Sequence, residues 1–77
     1  MPRYFFDFMD TGEAYPDCYG TELPDCDSAK IETVMALMEI AKVALHDQDY
    51  RELAFKVRDE SGKPLLQMVL NLEMLTD

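Results

Sequence analysis

Basic residues are scarce in this chain. Seven Lys and Arg stand against sixteen Asp and Glu, a formal net charge of -9 over 77 residues. Nucleic-acid binding draws its affinity from Lys and Arg that neutralise phosphates, so no nucleic-acid partner is expected. An anionic membrane is disfavoured for the same reason; the charge is read first as serving solubility, and a basic protein is the partner it would favour. Long apolar runs are missing too. Nothing approaches the ~20 consecutive apolar residues of a membrane span. No basic segment leads into an apolar stretch and a small-residue cleavage site, so a cytosolic protein without a signal peptide is expected.

Chemistry-bearing residues are equally thin. Cys18 and Cys26 have neither zinc-site spacing nor the numbers of a disulfide framework, and two free thiols are expected. Three glycines form no phosphate-cradling loop and no nucleophile elbow. The single histidine, His46, has Asp47 and Asp49 beside it, a pairing that could orient a general base. No Ser or Cys nucleophile lies near it in sequence, and a helix C-terminus stabilises an ordinary protonated histidine. Acidic residues cluster at Asp7, Asp10, Glu13 and Asp17, and again at Asp25 and Asp27. Neither group has the alternating acidic loop and distal glutamate of a calcium site. No catalytic residue, no metal and no cofactor is expected.

What is present is apolar surface. Hydrophobic residues make up 48% of the chain, and its length allows one domain, residues 1–77. A domain this small buries only about 60% of the surface its unfolded chain exposes. The surplus makes self-association the ordinary remedy, and a homodimer is expected.

Tyr4, Phe6 and Phe8 alternate in a first strand over about Arg3 to Met9. Asp10-Thr11-Gly12-Glu13 reads as a turn, with Gly12 supplying a positive φ. A weaker second strand covers about Ala14 to Glu22, with Pro16 placing it at an edge and Gly20 marking a bend. Pro24 keeps Leu23 extended, and Asp25 is a good N-cap for a helix from about Cys26 to His46. Ala29, Thr33, Leu37, Ile40, Ala41, Ala44 and Leu45 form the stripe expected on the sheet, widened by Ile31, Val34 and Met38, with Met35 outside it. Strand three covers about Glu52 to Asp59, with Leu53, Phe55 and Val57 on one face. Strand four, about Leu65 to Met74, follows a glycine-bearing hairpin loop.

These elements make an α+β domain of ββαββ order. It is expected as a four-stranded antiparallel sheet with one long helix packed on one face, its order either 2-1-3-4, which centres the aromatic first strand, or one that places the two-sided apolar strand four inside. The opposite face carries the candidate interaction surface: Phe5, Met9, Lys56, Arg58, Leu65 and Val69. An open strand-four edge is the second candidate. Lys56 and Arg58, flanked by Arg51 and Lys63, also make a basic stripe, but strand three's Phe55 faces inward and offers no base-stacking platform. Met9, Met35 and Met74 join the adaptable binding surface if they are exposed.

The opening Met1-Pro2-Arg3-Tyr4-Phe5-Phe6-Asp7 is followed by Asp10 and Gly12, then by Gly20-Thr21-Glu22-Leu23-Pro24-Asp25 ahead of an alanine-bearing helix. This pattern resembles a family of short bacterial proteins of unknown function, and the hairpin from Val57 to Leu65 is similar to theirs. The resemblance implies this fold and a cytosolic setting, and carries no activity or catalytic residue. The two cysteines look particular to this chain. A looser resemblance, on Tyr15-Pro16-Asp17 and Leu23-Pro24-Asp25 with the following helix, is to HicB-type antitoxins, and it implies a toxin-neutralising role.

The expected function is a non-enzymatic, homodimeric protein-interaction module. The alternative is a small-ligand or metal site across a dimer interface, built on His46 or the acidic hairpin. That alternative requires Asp7, Asp10 and Asp17 to be available to a ligand.

Overall fold

The computed structural model describes residues 1–44 and 50–75. Strand β1 (Arg3–Asp10) turns back into β2 (Glu13–Tyr15), and β3 (Thr21–Glu22) follows. Helix α1 (Cys26–Ala44) precedes the long hairpin of β4 (Tyr50–Arg58) and β5 (Pro64–Glu73). The sheet order is β2-β1-β4-β5, all antiparallel, with β3 also on β1. This is the 2-1-3-4 order, one of the two expected from sequence, with five strands in place of four.

The extra strand arises where one second strand was expected. Pro16 has no N–H for a ladder, so pairing stops at Tyr15 and resumes at Thr21. Between them the Asp17 carboxylate stands in for a missing strand: its Oδ2 accepts the Phe6 amide at 3.1 Å. The β1–β2 connection has positive φ at both central residues, Thr11 (47°) and Gly12 (91°), which matches the twist of a two-residue hairpin. Thr11 is held there by β4, whose Glu52 carbonyl accepts its amide at 2.7 Å.

Asp25 caps α1 as expected, accepting the Ser28 amide at 2.8 Å. The helix lies on the sheet through Ala29, Thr33, Leu37 and Ala44, with Ala36 and Ile40 half-buried beside them. Thr33 satisfies its buried hydroxyl by donating to the Ala29 carbonyl at 2.8 Å. At the helix end, Arg51 donates to the Ala44 carbonyl at 2.7 Å. The expected extension of the helix to His46 falls outside the described residues, as do Leu45, Asp47 and Asp49.

Two clusters form the core on the helix side of the sheet. Leu37, Ala44, Leu53 and Phe55 gather Phe6, Phe8, Met68, Leu70 and Leu72 around them. Tyr4, Ala29 and Val57 form the second, with Leu23, Leu65 and Leu66. The β4–β5 register shifts between Val57 and Arg58, which pair with Leu66 and Pro64. Leu65 is the extra residue of this bulge and packs against the second cluster, so it leaves the outer face where simple alternation had put it.

Candidate functional site

The face away from the helix collects Phe5, Asp7 and Met9 from β1 with Ala54, Lys56 and Arg58 from β4. The register sets Phe5 opposite Arg58, Asp7 opposite Lys56 and Met9 opposite Ala54, with Val69 of β5 next in that last row. Five of the six expected surface residues therefore share one face, and Leu65 does not.

Much of that face is internally committed. The Arg58 guanidinium lies over the Phe5 ring at 4.6 Å, within cation–π range. Its Nε donates to Asp7 at 2.8 Å and its Nη2 to the Asp17 carbonyl at 3.0 Å. Asp7 also accepts the Asp17 amide at 2.8 Å. Asp17 in turn accepts amides from Tyr19 (3.0 Å) and Gly20 (3.1 Å) as well as from Phe6. The group is a clamp that holds residues 16–20 on the sheet.

The titrations follow from that wiring. The Asp7 carboxyl is held below the usual range, chiefly by the hydrogen bond from Arg58. For Asp17 burial is the largest influence and pushes upward. The amides of Gly20, Phe6 and Tyr19, with the Arg58 charge, together outweigh it and leave the group lowered. Asp10 is lowered chiefly by its hydrogen bonds with Arg51, whose Nη2 and Nε both donate to it, the Nε at 2.9 Å.

These three carboxylates are therefore hydrogen-bonded to Arg51, Arg58, Thr11 and backbone amides. Among the described residues no three His, Cys, Asp or Glu side chains come together in a way that could hold a metal ion. Of the expected basic stripe, Arg58 and Arg51 face acidic partners, while Lys56 and Lys63 are exposed. Cys18 and Cys26 are free thiols. His46 lies outside the described residues. Among those described, no helix is long and apolar enough to cross a membrane.

The exposed apolar surface is concentrated elsewhere. On the helix face opposite the Ala29–Thr33–Leu37 ridge, Ile31, Val34, Met35 and Met38 are between 41% and 60% exposed. They recur at i, i+3, i+4 and i+7, so they form one continuous stripe. Three of them were expected to face the sheet. The sheet instead takes Ala29, Thr33, Leu37 and Ala44, and the side chains of Ile31, Val34, Met35 and Met38 are left outside. The signal was present in the spacing: two apolar ridges lie on opposite sides of one helix. The second open surface is β5, the end of the strand order on its side of the sheet, with Val69 52% exposed.

Fold and surface thus define a small two-layer α+β domain with an exposed apolar stripe on its helix. The chain belongs to the family described as Domain of unknown function (DUF6894), which it matches over residues 3–71. No curated protein and no solved structure matches it.

Proposed function

We propose that the protein is a non-enzymatic interaction module that works as a homodimer. The observation carrying this reading is the exposed stripe Ile31, Val34, Met35 and Met38 on the outer face of α1. A helix that is apolar on opposite faces is the pattern of a buried helix, and the sheet buries only one of those faces. The outer sheet face is the weaker candidate, because Phe5 and Arg58 already stack on each other and Asp7 holds Arg58 in place. A further partner, a basic toxin included, is favoured by the net charge of -9. The committed state of Asp7, Asp10 and Asp17 speaks against the ligand-site alternative.

Sedimentation velocity tests this reading. The wild-type chain is expected to sediment as a dimer at tens of micromolar. The Met35→Glu variant is expected to raise the dimer dissociation constant at least about tenfold, because it puts a charge into a desolvated stripe. Its far-UV circular dichroism should be unchanged, since Met35 is 57% exposed on the outer face of α1. A wild-type chain that stays monomeric at about 100 μM would sink the proposal, that being weaker than a stable self-association.

A further inference from the structure

The outer stripe is symmetric in its spacing. From Asp27 to Ile31 is four residues, to Val34 three more, to Met35 one, to Met38 three, and to Lys42 four. The row reads the same from either end, except that an acid closes one end and a base the other. A two-fold interface demands this kind of self-complementarity: residue i meets j, and j meets i.

Resting on the homodimer reading, we infer that the partner on α1 is a second copy laid antiparallel, its two-fold axis passing between Val34 and Met35. Val34 then meets Met35 of the other copy, Ile31 meets Met38, and Asp27 meets Lys42. All six of these residues are exposed, so the pairing buries side chains that water now covers. The end groups already sit in local pairs: Lys30 lies 3.9 Å from Asp27, and Lys42 lies 3.1 Å from Glu39. Antiparallel docking brings one such pair from each copy together at each end, with signs opposed. A parallel arrangement would set Asp27 on Asp27 and Lys42 on Lys42, and would align the two helix dipoles unfavourably. Among the described residues α1 is the element laid over this face of the sheet, and the stripe on its outer side is exposed. The helix has 19 residues, about 28 Å at 1.5 Å per residue, so the six positions occupy most of its length.

Cysteine cross-linking decides the geometry. In a background carrying Cys18→Ser and Cys26→Ser, the Ile31→Cys and Met38→Cys variants are oxidised mildly, each alone and then as an equimolar mixture. Intact mass on non-reducing samples reads the products. The mixture is expected to give the mixed cross-linked dimer at several times the yield of either variant alone. Equal or better self-linking of each variant overturns the antiparallel arrangement. If the wild type sediments as a dimer and the mixture does not link, this inference fails and the dimer lies elsewhere, with the β5 edge next. If the wild type is a monomer, both readings fail. A charge swap gives an independent readout that needs no thiol. Asp27→Lys alone is expected to weaken dimerisation about tenfold, and adding Lys42→Asp to restore it to within about threefold. No loss from the single change, or no recovery from the double, counts against the pairing.

Discussion

Replacing Gly20 by alanine is expected to destabilise the fold by about 2–4 kcal/mol, the sum of a strained backbone and an overfilled contact. Gly20 has a φ of +74°, in the left-handed region that a side chain disfavours. A Cβ there would meet Arg3 Cγ at 2.8 Å, Phe5 Cε1 at 3.0 Å and the Tyr4 carbonyl at 3.0 Å. The first two are side-chain atoms that could shift; the third is backbone of β1, which is fixed by its pairing with β3 and β4. Gly12 supplies the control. Its φ of +91° imposes similar strain, but a Cβ would meet nothing within 4 Å. Gly12→Ala should therefore show only the backbone part, about half the effect. Urea midpoints followed by circular dichroism separate the two, and equal losses would remove close packing from the account.

The Asp17→Ala variant is expected to lose a comparable amount, about 2–4 kcal/mol, because three amides lose their acceptor together. Leaving one buried donor unsatisfied costs about 1–3 kcal/mol, and those of Phe6 and Gly20 are part-buried. The same variant should change the response to acid. Asp7 and Asp17 are both lowered in the fold, relative to about 3.9 in an unfolded chain. A lowered carboxyl contributes stability that is fully present above the unfolded value and is lost as pH falls through the folded one. Stability should thus hold from neutrality to about pH 4 and drop below it. The drop below about pH 4 should be smaller in Asp17→Ala. An equally steep acid loss in that variant would assign the effect to other carboxylates.

Legibility in the sequence followed the strength of local signals. Asp25 after Pro24 announced the helix start, and the cap is made by the expected carboxylate. The alternation of Tyr4, Phe6 and Phe8, and of Leu53, Phe55 and Val57, named the sheet face that meets the helix, and all six lie in or against the core. Pro16 and Gly20 were visible as weak points of one strand. What they produce, two short strands bridged by an Asp17 side chain, depends on Phe6, eleven residues away in sequence. The bulge that turns Leu65 inward is a mismatch between β4 and β5, which neither strand shows alone. The helix was the deeper ambiguity. Apolar residues lie on both of its sides: the expected ridge of Ala29, Thr33, Leu37 and Ala44 takes the sheet, while Ile31, Val34 and Met38, expected to widen that ridge, are exposed.

The placement of β1 between β2 and β4 also sets the order in which the chain assembles. The β4–β5 hairpin is local, closed by a short turn in which Gly62 donates to the Asp59 carbonyl at 3.0 Å. The β1–β4 ladder is not local: Asp10 pairs with Leu53 and Phe5 with Arg58, so it closes a loop that contains the whole helix. Loop closure of that kind must precede its reward, which slows folding. Tyr4, Phe6 and Phe8 are synthesised before β4, so they wait for it before their central partner exists. A nascent protein of this design holds its most aromatic segment with only the β2 hairpin for cover until β4 has emerged.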